Sequence, residues 1–524
     1  MQLTEEQTRI LDFVRGAGGG KPVRHVLLHA YAGTGKSFIL SEIARLLPGP
    51  GLYLAFNQAI VQDIRQKLPS HFKAMTTHQL ALEGLPRDVA QRVRASLDQD
   101  RGRVALPQIL DKVEDFNSMK KDGLAIAGIA LRTMSNFCNS SDLQMGPQHV
   151  PAIPKRWKNE DIVQYANHIW NAMLDFRIPV THDFYFKAWT LMGQSLPYFH
   201  RLVDEAQDTN PALLGSLFHQ PQGVTWWAGD PYQSIYSWRG AMDALNHIGK
   251  QDQTHSDYLT RSFRFGDAPA DLASRLLSVL GEDRPVQGTG HTEISAAPME
   301  SRNPRPFLQG YAPGRNAPGR DAPGRDAPRR GFSTLAWVSF SNVTLLDVAL
   351  QCIEQGLSFH IVGQGRDEKS LIYAAMKLKS GKFDPKGPLS AYHQWSELEE
   401  EAASVPDGDA AKLLKLYRHP GFGAILDALN RGKSRESDAQ VILPTAHRAK
   451  GREWDCVVID PDLDANIEPT PAQIRKKRRF FLEGDDLRFD NREDIHLRYV
   501  AFTRGRKHLY VGCLNLYHWW AKAF

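Results

Sequence analysis

Ala30-Tyr31-Ala32-Gly33-Thr34-Gly35-Lys36-Ser37 closes an apolar run that begins at Val26 and leads into a periodic apolar stretch from Phe38 to Leu47. A strand, a glycine turn and a helix start in that order make a phosphate cradle. The glycines let the backbone N–H groups of Ala32, Gly33, Thr34 and Gly35 close around phosphate oxygens, and the helix N-terminus favours the anion. Lys36 would reach the β- and γ-phosphates, and the Ser37 hydroxyl would ligate Mg²⁺. Ala30 stands where the strict G-x-x-x-x-G-K-[ST] pattern begins with glycine. Far downstream, Leu202-Val203-Asp204-Glu205-Ala206-Gln207-Asp208 ends a second apolar run in adjacent carboxylates. Phosphoryl transfer to water needs one carboxylate for the metal and one to orient and deprotonate the water. Asp204 fits the first role and Glu205 the second. An acid-rich helix start is the ordinary alternative for such a pair, and the phosphate loop argues against it.

The elements that must hold these residues are strand and helix in alternation. Leu52–Phe56, Leu202–Val203 and Val224–Ala228 are strand candidates in the first half, and Leu335–Phe340, Phe359–Val362, Cys456–Ile459 and Leu509–Val511 in the second. That alternation predicts an α/β fold of parallel layers, with ligands at the carboxyl ends of the strands. Between the two halves of the first series, residues from about 86 to 190 are helix-rich and are expected to form an insertion. Tandem Ala-Pro-Gly-Arg pentapeptides between Ala312 and Arg330 have neither helical nor strand periodicity and predict an exposed loop. The basic run Arg475-Lys476-Lys477-Arg478-Arg479 suits either a DNA backbone or a solvated face.

Composition sets the outer limits. The chain has 524 residues, 42% of them hydrophobic and 23% charged, which excludes large-scale disorder. No apolar stretch approaches the ~20 residues of a membrane-spanning helix, and the N-terminus lacks a basic-then-apolar signal pattern. Four isolated cysteines, Cys138, Cys352, Cys456 and Cys513, suit neither a disulfide framework nor a zinc site. An intracellular, reducing compartment is therefore expected: cytoplasmic in a bacterial or viral setting, nuclear in a eukaryotic one. The formal charge of +5 permits a nucleic-acid partner without requiring one.

Once Asp-Glu-Ala-Gln is placed behind the phosphate loop, the rest of the chain resembles superfamily 1 helicases of the UvrD/Rep type, and within them the helicase region of the F-box DNA helicases. The motif Gly229-Asp230-Pro231-Tyr232-Gln233-Ser234-Ile235-Tyr236-Ser237-Trp238-Arg239-Gly240-Ala241 is the most specific. By this resemblance Gln233 senses the γ-phosphate, while Tyr236, Trp238 and Arg239 face single-stranded DNA. Leu3-Thr4-Glu5-Glu6-Gln7 is similar to the segment whose glutamine, here Gln7, reads adenine. In Leu259-Thr260-Arg261-Ser262-Phe263-Arg264 the resemblance puts Phe263 on adenine and Arg264 on the γ-phosphate. In Thr445-Ala446-His447-Arg448-Ala449-Lys450-Gly451-Arg452-Glu453-Trp454 it puts Thr445 and His447 on the DNA backbone and Glu453 on the ribose. Tyr499-Val500-Ala501-Phe502-Thr503-Arg504 makes Arg504 the second arginine on the γ-phosphate. Phe56, Asn57, Thr77 and His78 fall in motifs that contact DNA, with Phe56 adjoining Asn57 where the UvrD pattern is Phe-Thr-Asn. The tract Ile178–Tyr185 also resembles the F-box helicases; no F-box is expected before Gln7, and no ubiquitin-ligase role is carried over.

The resemblance implies two RecA-like parallel-sheet P-loop motor domains with helical insertions. The expected divisions are 1–85 and 191–255 for the first motor domain around an insertion at 86–190. The second takes 256–364 and 441–524, with the low-complexity loop at about 295–333 and a reduced insertion at 365–440. It further implies ATP and Mg²⁺ as cofactors, single-stranded and tailed or forked DNA as partners, no membrane, and a monomeric motor. Lys36, Glu205, Gln233, Arg264 and Arg504 are the expected catalytic set, with one nucleotide gripped by both domains and base stacking on Trp238 tolerating any sequence. The implied activity is 3′→5′ translocation and DNA unwinding in repair, replication or recombination control. A translocase that strips proteins from single strands and a nucleotide-gated DNA-binding module are the alternatives.

Overall fold

In this computed structural model the described residues are 3–17, 23–55, 57–100, 102, 104, 106–113, 123–153, 157–235, 244–299, 302–309, 332–363, 366–384, 388–389, 392–404, 409–418, 421–465, 480–484 and 486–522. The pentapeptide tract and the basic run Arg475–Arg479 lie outside them. Two compact units emerge. The first comprises Met1–Ala30, Lys36–Leu259 and Lys377–Leu414, and the second Tyr31–Gly35, Thr260–Met376 and Lys415–Phe524.

The first unit is built on strands β1 (His25–Ala30), β2 (Gly51–Ala55), β3 (Phe72–Thr76), β4 (His200–Asp204), β5 (Val224–Gly229) and β6 (Thr254–Leu259). Their order is β3-β2-β4-β5-β1-β6, and every pairing is parallel. Nearly continuous apolar strands are what a sheet covered on both faces requires. The two-residue period then divides their side chains. Val26, Leu28, Tyr53 and Trp226 join a core with Ile39, Leu40 and Ile43 of the helix Lys36–Leu46. Leu27, Leu54, Val203 and Trp227 face the other way.

That second face carries the helices Arg87–Asp100, Leu106–Lys112, Gly123–Cys138, Asn159–Leu174 and His182–Leu191. Val93, Ile109, Ala127, Ile169 and Phe184 from these helices belong to one buried cluster with Leu27 and Trp227. The helical stretch expected at 86–190 therefore shares its core with the sheet it interrupts. The helix Trp395–Ser404 packs against Gly123–Cys138, so part of the stretch expected as a reduced second insertion, Lys377–Leu414, groups with the first unit.

The second unit contains β7 (Glu293–Ala296), β8 (Leu335–Val338), β9 (Phe359–Ile361), β10 (Val441–Leu443), β11 (Trp454–Ile459), a hairpin of β12 (Phe480–Glu483) and β13 (Asp486–Phe489), and β14 (Gly505–Val511). Its sheet order is β7-β14-β11-β8-β10-β9, again all parallel. Trp337, Val457, Val458, Ile459 and Leu509 are fully buried at its centre. The helix Arg492–Phe502 is buried at every position from Ile495 to Phe502, so it is a core helix.

At the end of β11, Asp460 is 0% exposed. Its Oδ2 accepts from Arg302 Nε at 3.0 Å and Trp337 Nε1 at 2.9 Å, and its Oδ1 accepts from the Asp462 N–H at 2.9 Å. Replacing Asp460 with alanine strands three donors that water reaches poorly. Because Arg302 remains partly exposed, the expected loss is about 2–4 kcal/mol, read as a lower urea midpoint; an unchanged midpoint would refute it. All four cysteines are buried and unpaired, and burial raises the pKa of the Cys352 thiol to about 12, so it stays protonated and unreactive. Among the described residues no helix is long and apolar enough to cross a membrane.

Candidate nucleotide site

Within the first unit, β4, β5 and β1 lie side by side, so the segments leaving their carboxyl ends lie side by side too. From β4 come Asp204 and Glu205; beyond β1 the chain enters the helix Lys36–Leu46. Lys36 Nζ donates to Glu205 Oε2 at 2.9 Å, and Ser37 Oγ donates to Asp204 Oδ2 at 2.9 Å. The Tyr53 hydroxyl, on β2, donates to the same Asp204 oxygen at 2.7 Å, while Asp204 Oδ1 accepts from the Glu205 N–H at 2.9 Å. Glu205 itself has left-handed backbone angles, φ 53° and ψ 43°, an uncommon conformation for a side chain of this size. It turns the carboxylate out of the strand direction and towards Lys36.

The charges are interdependent. Burial works against the Lys36 ammonium, but the carboxylates of Glu205, Asp204 and Asp230 outweigh it and hold its pKa above the ordinary value. Burial, then the charge of Glu205, pushes the Asp204 carboxyl above its usual range, with Lys36, Tyr53 and Ser37 opposing. Asp204 is thus a buried carboxylate with less positive charge around it than it can use. Beside it sits a hydroxyl, another hard oxygen donor. This set fits Mg²⁺, which takes a carboxylate or two and completes its shell with water and phosphate oxygens.

The phosphate loop turns through Gly33 and Gly35, at φ 77° and 82°, where a Cβ would be strained. Space forbids one at Gly33 as well: a Cβ there would lie 2.5 Å from Ser262 Oγ and 2.7 Å from Arg264 Cβ. In this second unit the Phe263 N–H donates to the Gly33 carbonyl at 2.9 Å, and the Ala32 N–H donates to the Tyr499 hydroxyl at 3.0 Å. Thr34 Oγ1 donates back to the Tyr31 carbonyl at 2.9 Å. Arg264 Nε donates to Glu453 Oε2 at 2.7 Å. Burial would raise the Glu453 carboxyl, but Arg264, then Arg506 and Arg504, hold it below its ordinary value. Phe263 is exposed. Arg504 is 0% exposed; its guanidinium donates to the carbonyls of Val500 and Arg452 and to Thr503 Oγ1. Reaching a phosphate would require it to exchange those partners.

The remaining expected residues are placed as follows. Gln7 is buried and forms a capping box with Thr4: Gln7 Oε1 accepts from the Thr4 N–H and Thr4 Oγ1 from the Gln7 N–H, both at 3.1 Å. A carboxamide keeps further donor and acceptor capacity for an adenine edge. Gln233 is buried, with Nε2 donating to Asp230 Oδ2 at 2.7 Å. Asn57 caps the helix Gln58–Arg65, and Thr445 caps Ala446–Ala449. Thr77 begins the helix that follows β3. His78 meets the rings of His182, Tyr185 and Phe186 edge-on. Burial, with Lys450 nearby, lowers the pKa of His447. Phe56, Tyr236, Trp238 and Arg239 lie outside the described residues. A cavity of about 290 Å³ opens beside Asp204 and Glu205 and is bordered by Thr77, His78, Asn139, Asp183 and Asn210. Tyr53, Gln207 and Asp230 are site residues that sequence reasoning did not single out. Only Gln207 and Asp230 had a signal, as members of the two quoted motifs.

A glycine loop at one strand end and paired carboxylates two strands away, in an all-parallel sheet, define a P-loop nucleotide-binding unit. Residues 20–252 match the UvrD/REP helicase N-terminal domain, and residues 394–515 match the UvrD-like helicase C-terminal domain. The chain belongs to the UvrD/Rep helicase family. It is 25% identical over 537 residues to F-box DNA helicase protein 1 of Schizosaccharomyces pombe, covering 97% of this chain and 57% of that protein. It is 30% identical over 300 residues to F-box DNA helicase 1 of Gallus gallus, covering 53% of this chain and 28% of that one. The chain thus spans little more than half of one relative's length and under a third of the other's.

Proposed function

We propose that this chain is an ATP-dependent single-stranded DNA translocase and 3′→5′ DNA helicase serving DNA repair, replication or recombination control. The observation that carries the reading is the interlocked pair of contacts Lys36–Glu205 and Ser37–Asp204, made between the ends of β1 and β4 with β5 between them. One joins the phosphate-directed Lys36 and the other the metal-directed Ser37 to a carboxylate, so ligand binding and water activation depend on one another. The roles follow from the chemistry. The loop N–H groups and Lys36 hold the phosphates, and Glu205 takes the proton of the water that attacks the γ-phosphorus as ADP leaves. Asp204 and Ser37 would hold Mg²⁺, which supplies charge neutralisation on the phosphate oxygens. By the family resemblance, Gln233, Arg264 and Arg504 act on the γ-phosphate, Gln7 and Phe263 on adenine, and Glu453 on the ribose. Loss of the γ-phosphate removes the group these residues hold, which makes nucleotide state a switch. Asn57, Thr77, His78, Thr445 and His447, with Phe56, Tyr236, Trp238 and Arg239, are read as the DNA contacts.

Partial duplexes with a 3′ or a 5′ single-stranded tail test this reading, alongside displacement of a protein bound to the tail. ATP-dependent strand separation from the 3′ tail is expected. Separation from the 5′ tail alone would overturn the polarity. Protein displacement without strand separation would overturn the helicase reading and leave a stripping translocase.

A further inference from the structure

Gln207 is 1% exposed, and its amide is used at both ends. Nε2 donates to Glu205 Oε2 at 2.6 Å. Oε1 accepts from the Asp230 N–H at 3.0 Å. Asp230 is 0% exposed; its Oδ1 accepts from the Tyr232 N–H at 3.0 Å and its Oδ2 from Gln233 Nε2 at 2.7 Å. Glu205, Gln207, Asp230 and Gln233 are therefore one continuous hydrogen-bonded chain. It joins the segment after β4 to the segment after β5, strands that pair in register at Asp204 and Ala228. The approach is close enough to exclude a side chain at Gly229, where a Cβ would lie 2.5 Å from Gln207 Oε1 and 2.9 Å from the Gln207 backbone nitrogen.

We propose that Gln207 is a positioning residue that ties the Glu205 carboxylate to the Asp230–Gln233 segment, so that DNA engagement beyond Gln233 is felt at the catalytic carboxylate. The inference rests on the reading of Glu205 as the base. Glu205 starts from a left-handed backbone, so its side-chain direction needs outside support. Here Lys36 and Gln207 share Oε2. When Lys36 turns to a phosphate, Gln207 is a donor that stays on Glu205. A carboxamide is required because the position must donate at one end and accept at the other. Glutamate can only accept, and methionine matches the length without either bond.

The test compares wild type, Gln207→Glu, Gln207→Met and Glu205→Gln in steady-state ATPase assays with and without single-stranded DNA, together with Tm. Both Gln207 variants are expected to keep KM for ATP within about threefold of wild type. Their DNA-stimulated kcat should fall between ~10- and ~100-fold, the cost of a reacting group displaced by about 1 Å, and the ratio of stimulated to basal rate should fall with it. Gln207→Glu, which keeps the bond to Asp230, tests the donor end separately. Wild-type stimulated kcat in Gln207→Glu and Gln207→Met, beside an inactive Glu205→Gln, would overturn the proposal and leave Glu205 as the base. A lower Tm with a raised KM and a lowered kcat in parallel would reduce Gln207 to a structural role and likewise overturn it. Full turnover in Glu205→Gln would overturn both readings.

Discussion

Glu205→Gln is expected to lower DNA-stimulated ATP turnover on the order of 10²- to 10⁴-fold, the usual contribution of a positioned general base, while nucleotide affinity stays within about threefold. The substitution is nearly isosteric. Its amide oxygen can still accept from Lys36 Nζ, now 2.9 Å from Glu205 Oε2, and the backbone N–H still has Asp204 Oδ1 at 2.9 Å. What the amide lacks is basicity. Binding depends on the loop, Lys36 and Ser37, none of which changes, so the effect should separate into kcat. Single-turnover hydrolysis beside fluorescent-nucleotide binding makes that separation measurable. Turnover near the wild-type rate would remove Glu205 from the mechanism. A parallel loss of affinity would instead assign it to holding Lys36 in place.

The features that were legible in the sequence are those encoded within a few residues. Gly33 and Gly35 specify positive φ, and both angles are found there. Apolar runs at Val26–Ala30, Val224–Ala228 and Cys456–Ile459 coincide with β1, β5 and β11, because strands buried on both faces are mostly apolar along their length. The strands that were not anticipated lack that signature. β6 carries His255, Ser256 and Asp257 at an edge of the sheet formed by the described strands. β10 has three residues, and β3 is broken by the exposed Lys73. Partnerships between distant residues were beyond local pattern altogether. Tyr53 meets Asp204 across 151 residues of sequence, and a tyrosine inside an apolar strand gives no hint of that bond. The burial of Arg504 among backbone carbonyls is equally silent in its motif. Gln7 shows the opposite case: Thr4-x-x-Gln7 spells a capping box, and the bond is formed, yet the motif resemblance drew attention to adenine instead.

Lys36→Ala is expected to reduce DNA-stimulated turnover on the order of 10²- to 10³-fold, the cost of deleting one preorganised charge donor in a water-poor site. It should also act on the protein without nucleotide. Lys36 is a cation set among Glu205, Asp204 and Asp230, whose combined attraction outweighs the penalty of burying it. Removing it leaves those carboxylates facing each other. Glu205 keeps 20% of its side chain exposed, so water screens part of the repulsion and the loss is about 1–3 kcal/mol, measured as a lower Tm. A divalent cation at Asp204 and Ser37 would replace part of the missing charge. Mg²⁺ without nucleotide should therefore raise the Tm of Lys36→Ala more than that of wild type. An equal rise in both proteins would remove Asp204 as the cation ligand. Retained turnover in the variant would remove the loop as the phosphate cradle. The two outcomes are independent, because one concerns the charge that Asp204 lacks and the other the charge that the phosphates bring.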